Sequence, residues 1–88
     1  MQEEFHIGKL IQQKAEEKGV RIAWMAKQLG CHRNNVYYIF QHSWINTDQL
    51  FKISKILWHN FFADIAKYYS ETSKEENPNM HNNILQNA

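Results

Sequence analysis

Residues 21–41 read RIAWMAKQLGCHRNNVYYIFQ, and the fold follows from them. Ile22, Met25, Ala26 and Leu29 fall at i, i+3, i+4 and i+7, the apolar face of a short helix. Gly30 closes that helix, because the chain needs a positive φ there and glycine takes one without steric cost. His32, Arg33, Asn34 and Asn35 open a second helix with Val36, Ile39 and Phe40 on its apolar face. Ala26 is small where the two helices must cross closely. Turned outward, the second helix shows Arg33, Asn34, Asn35, Tyr37, Tyr38 and Gln41. These residues carry almost no aliphatic surface and are rich in groups that hydrogen-bond base edges and phosphates. The pattern predicts a helix-turn-helix whose second helix reads DNA.

The flanking sequence extends the helical reading in both directions. Ile7, Leu10, Ile11 and Ala15 repeat at helical spacing before the motif, with polar residues between them, and Gly19 ends that helix. After the motif, His42 to Ile45 form a loop. Asn46 or Thr47 then caps a helix, with Asp48 at the positive end of its dipole. Leu50, Ile53 and Leu57 form its inner face and Lys52 and Lys55 lie outside. Asn60 caps a fifth helix over Phe61, Phe62, Ile65, Ala66 and Tyr69. Pro78 is the one proline, so none interrupts these helices. From Ser70 the composition turns to Ser, Thr, Glu and Asn, with Ile84 and Leu85 its only strong apolar pair. The expectation is an all-α domain over residues 1–69, with the helix-turn-helix at 21–41, and a polar, mobile tail over 70–88. A short extra helix at the end of that tail is left open.

Eighty-eight residues allow one small domain, and a hydrophobic share of 43% with 14% aromatics suffices for one compact core. The net charge is only +1. Residues 1–69, however, carry nine Lys/Arg against six Asp/Glu, while residues 70–88 carry one against three. The globular part is thus mildly basic, enough for modest phosphate neutralisation. Cys31 is the only cysteine, which excludes an intramolecular disulfide and fits a reducing cytoplasm. Apolar runs fall far short of the roughly 20 residues that span a bilayer, and MQEEFHIGKL has no apolar signal core. No membrane partner is expected.

Ala26, Gly30, Val36 and Ile39 resemble the helix-turn-helix signature of the lambda-repressor-like, XRE-type DNA-binding domains. The resemblance covers about residues 6–69. Met25-Ala26-Lys27-Gln28-Leu29-Gly30 corresponds to that family's Leu-Ala-x-x-Leu-Gly, and Asn46–Leu57 resembles its fourth helix, a capped Leu-x-x-Ile-x-x-x-Leu. It implies a compact five-helix bundle and a bacterial or phage transcriptional regulator, most simply a repressor, reading a palindrome as a homodimer. Three departures stand out. Ile22 occupies a position where the family commonly has a phosphate-contacting glutamine. Ala15 and Phe40 stand where many members bury an Arg–Glu pair, an exchange that is often neutral or stabilising when well packed. Trp24, Tyr37, Tyr38 and Trp44 load the reading surface with aromatics, some of which could face a partner protein.

Carried over by position, the resemblance implies base contacts from Arg33 and Asn34, with Tyr38 one turn further on. Arg33 can fork onto guanine O6 and N7, and Asn34 can pair with adenine N6 and N7; the bland alternative is a solvated helix start. Arg21, Lys27, His32, Asn35 and Gln41 are candidate phosphate contacts. For His32 a capping role is favoured, and for Lys27 a plain surface charge is an even alternative. Cys31-His32 with His42 or His59 lacks any metal-binding spacing, so Cys31 reads as a small core residue and neither a metal nor another cofactor is implied. No acid pair, Gly-rich loop or nucleophile–base arrangement supports an enzyme. The aromatics of the last helices exceed what one face can bury, so Trp44, Phe61, Phe62 and Tyr69 are the candidate dimer surface. An adaptor reading, an antitoxin or co-regulator of the same fold binding a protein through this surface, stands as the alternative.

Overall fold

The computed structural model describes residues 4–73. Among them the chain forms five α-helices and no strand: α1 (Ile7–Glu17), α2 (Ile22–Leu29), α3 (Arg33–Gln41), α4 (Thr47–Leu57) and α5 (Phe61–Thr72). The fifth helix runs three residues past the expected boundary at 69, because Ser70, Glu71 and Thr72 continue it. The polar stretch from residue 74, including Ile84 and Leu85, lies outside the described residues.

One core joins all five helices. Ile7, Ile11 and Ala15 meet Met25, Ala26, Val36, Ile39 and Phe40, and Leu50, Ile53, Leu57 and Phe61 close it from the other side. Leu10, Ile22, Leu29 and Cys31 are half-buried against it. Ala15 and Phe40 are both buried, and no charged side chain is buried among the described residues, so an apolar contact fills the α1–α3 junction. Phe61 is fully buried. This corrects the expectation that it contributes to an outer surface: of the adjacent pair, Phe61 turns in and Phe62 is only half-buried. Side chains cap three of the helices. His6 Nδ1 accepts from Lys9 N–H at 3.0 Å, Asn46 from Gln49 N–H at 2.8 Å and Asn60 from Ala63 N–H at 3.2 Å.

Two backbone features position α3. The first is the approach of α1: Ile7 N–H donates to the Ser43 carbonyl and Gly8 N–H to the His42 carbonyl, each at 2.9 Å. The free N–H groups of one helix start thereby satisfy carbonyls just past the end of another. Gly8 makes this possible, since a Cβ there would lie 2.4–2.6 Å from the carbonyl oxygens of Phe40, Ile39 and His42. The second is a repeated left-handed turn. Gly19 and Gly30 both have φ 68°, and the residue after each donates its N–H five residues back, Val20 to Ala15 and Cys31 to Ala26, at 2.9 Å. This hydrogen bond satisfies a helix-end carbonyl that would otherwise be orphaned.

The turn between α4 and α5 has the same geometry without glycine. Trp58 has φ 51°, and His59 N–H donates to Ser54 O at 3.1 Å. An L-residue in this conformation costs about 1–2 kcal/mol. The His59–Asp64 contact, Nε2 to Oδ2 at 2.6 Å, ties the turn to α5. The indole itself gains little from the core, being 78% exposed.

Candidate nucleic-acid interface

Helix α3 stands on the core through Val36, Ile39 and Phe40 and shows every other side chain to solvent. At 100° per residue, Asn34, Tyr38 and Gln41 fall at i, i+4 and i+7 and form the outermost ridge, with Tyr37 beside them. Arg33 and Asn35 lie on opposite flanks of that ridge. Arg33 borders a cleft of about 510 Å³ between α1, α2 and α3, whose rim it shares with Arg21, Tyr37 and Glu16. Sequence reasoning put Gln41 on the outward face of this helix as a phosphate contact; the structure sets it on the same ridge as Asn34 and Tyr38.

The ridge has a rigid end. His42 Nδ1–H donates to the Tyr38 carbonyl at 2.8 Å, and the imidazole lies over the Tyr38 ring at 4.2 Å between centroids. The His42 N–H donates to Ile39 O at 3.1 Å, while its carbonyl accepts from Gly8. The last turn of α3 is thus fixed from within and from α1. Tyr38 remains 62% exposed despite its contact with His42. At the other end, His32 occupies the cap position of α3 but its side chain makes no cap hydrogen bond, against the capping role expected of it. With an extended backbone at φ −82° and ψ 157°, the imidazole is left exposed. Arg21 stands at the start of α2 in the same way.

The side chains on this face are uncommitted. Among the described residues, those of Arg33, Asn34, Asn35 and Gln41 make no hydrogen bond within the chain. Arg21, Lys27 and Arg33 enter no ion pair there, whereas Lys14 pairs with Glu17 and Lys52 with Asp48. The sequence contains the reason, and composition by halves hides it. From residue 18 to residue 47 there is no Asp or Glu, and this stretch carries Lys18, Arg21, Lys27 and Arg33. A chain with a net charge of +1 therefore has an acid-free helix-turn-helix.

The remaining candidates scatter. Trp44 is 51% exposed, yet its ring lies 5.3 Å from Phe5, which stacks on Tyr68 at 4.9 Å, so part of it belongs to an internal aromatic cluster. Tyr69 is 55% exposed. Sequence reasoning missed Phe51, which is 56% exposed on α4 although it sits beside the inner-face residue Leu50. Among the described residues no three His, Cys, Asp or Glu side chains converge on one point, and Cys31 is half-buried beside the core. No helix of the described residues is long and apolar enough to cross a membrane. Comparison with protein-family models, with curated proteins and with solved structures gives no match to this chain.

Proposed function

We propose that this chain is a sequence-specific DNA-binding regulator of the lambda-repressor-like type, placing α3 in the major groove and acting most simply as a repressor. The observation that carries this reading is the uncommitted polar ridge of α3 inside an acid-free segment. A duplex presents a dense line of phosphates outside and hydrogen-bonding base edges within the groove. A protein face that meets both needs free donors and acceptors in the middle and unpaired cations at the rim. Asn34, Tyr38 and Gln41 supply the middle, with Arg33 reaching in from the flank. Arg21 and Lys27 supply the rim, and the exposed His32 and Asn35 stand at the α3 start, where backbone N–H groups can also hold a phosphate.

The mechanism needs no moving part in the described residues. The α1 N-terminus and the His42 contacts hold α3 as one rigid element, so specificity comes from a preformed surface. Two copies on a palindrome are required by the arithmetic of recognition, because one reading helix spans too few base pairs to discriminate within a genome. The adaptor reading draws on the exposed aromatics Phe51 and Trp58. They lie on α4 and its closing turn, away from the α3 ridge, and leave that ridge unexplained. Selection of bound sites from random duplex DNA decides between the two. An enriched motif with two-fold symmetry supports the regulator; recovery of unselected DNA, or of none, removes it.

A further inference from the structure

We propose that the groove between α4 and the start of α5 receives a second copy of this chain, with two α4 helices crossing antiparallel about a two-fold axis beside Phe51. The groove measures about 460 Å³, and Phe51, Trp58 and Phe62 give it an apolar lining. Phe51 is 56% and Trp58 78% exposed, a concentration of aromatic surface that a monomer does not need. Ser54 also lines it, with an Oγ that is buried and has no hydrogen-bond partner.

Trp58 adds an independent argument. Among the described residues, two of the three left-handed helix ends use glycine, and only this one uses a non-glycine residue. Burial does not explain the choice, since the indole stands out in solvent. A partner that covers it does.

The order of charges selects the occupant. Asp48 and Lys55 flank Phe51 on the exposed side of α4, three residues before it and four after, and the Lys55 ammonium lies over the Phe51 ring at 5.6 Å from its centroid. Both lie within about 60° of Phe51 around the helix. A two-fold axis makes every contact twice. With the helices antiparallel and the axis beside Phe51, Asp48 of each copy meets Lys55 of the other. A parallel pairing would set Asp48 against Asp48 and Lys55 against Lys55. Lys52 holds its own Asp48 through Oδ2 at 3.4 Å and lies roughly 100° around the helix from Phe51, off the contact. The face is self-complementary in one orientation only.

This proposal deepens the DNA-reading assignment, which requires a two-fold pair, but its test contains no DNA. Sedimentation velocity of the full chain, from micromolar to submillimolar concentration, should show a reversible monomer–dimer equilibrium. Asp48→Lys and Lys55→Asp should each weaken it at least about tenfold, because each places two like-charge pairs in the interface. The combined reversal should bring it back to within about threefold of wild type. Trp58→Gly, which suits the turn, should weaken it. Far-UV circular dichroism confirms that each variant is folded. A chain monomeric throughout leaves the groove to its own C-terminal segment or to another protein and overturns the proposal, as does a double reversal that fails to restore association. Should the dimer fail while a half-site is still enriched from random DNA, the reading of α3 stands alone. A dimer without any enriched sequence would mean the opposite.

Discussion

Gly8 and Gly30 are needed for different physical reasons, and substitution separates them. Gly30 has a left-handed backbone with open space around it, so a side chain there strains only the main chain. Gly8 lies in a helix, but its missing Cβ is where three carbonyl oxygens of the α3 end come to rest. Gly30→Val should therefore lower stability by about 1–3 kcal/mol, and Gly30→Asn should recover much of that, since Asn tolerates the conformation. Gly8→Ala should cost about 1–3 kcal/mol by overpacking. Gly8→Asn should be worse still. Thermal melts of the four variants test this, and recovery by Asn at both positions would show that Gly8 is not a close-approach site. Trp58 is the converse case. Trp58→Gly, measured dilute enough to keep the chain monomeric, should leave stability unchanged or raise it by up to about 1 kcal/mol. A loss of several kcal/mol would show that the indole is part of the core after all.

The helices themselves were readable because each has a strong apolar period and most carry a recognisable stop or cap. Ile7, Ile11 and Ala15, or Leu50, Ile53 and Leu57, are separated by polar residues that fix the phase. In α5 the phase is ambiguous, because Phe61 and Phe62 are adjacent and both suit the inner face. What decides between them is the left-handed turn at Trp58, which sets the angle at which α5 enters. No glycine announces that turn. Gly8 was equally silent, since its role depends on a helix more than thirty residues away. Helix α3 is the element whose outward face could be derived completely, and its prediction belongs here. Arg33→Ala and Asn34→Ala should each weaken binding to the selected site by about 1–3 kcal/mol and relax preference at different base positions. Gln41→Ala should behave as they do if the ridge enters the groove along its length. Binding titrations on the selected site and on single-base variants distinguish the cases, and equal weakening on all sequences would reassign these residues to the phosphates.

At the scale of the whole molecule, charge placement matters more than its total. A net +1 would suggest weak attraction to DNA if the charges were evenly mixed. Instead the acids lie on α1, α4 and α5 and the segments beyond them, and residues 18–47 have none. That segregation bounds the electrostatic part of the affinity from both sides. Counting Arg21 and Lys27 as the phosphate-neutralising cations of each copy, a dimer displaces counterions from about four phosphates, and log K should fall against log salt with a slope near −4. Lys27→Ala should reduce the magnitude of that slope by about 2, one phosphate per copy, with little effect on which sequence is preferred. Arg33→Ala should change preference more than slope, because its guanidinium is assigned to a base. Titrations at several salt concentrations with the wild type and both variants make the comparison. A slope indifferent to Lys27→Ala would return Lys27 to an ordinary solvated surface charge. A slope indifferent to every cation of the helix-turn-helix would move the DNA contact off this face and leave the aromatic groove of α4 and α5 as the molecule's working surface.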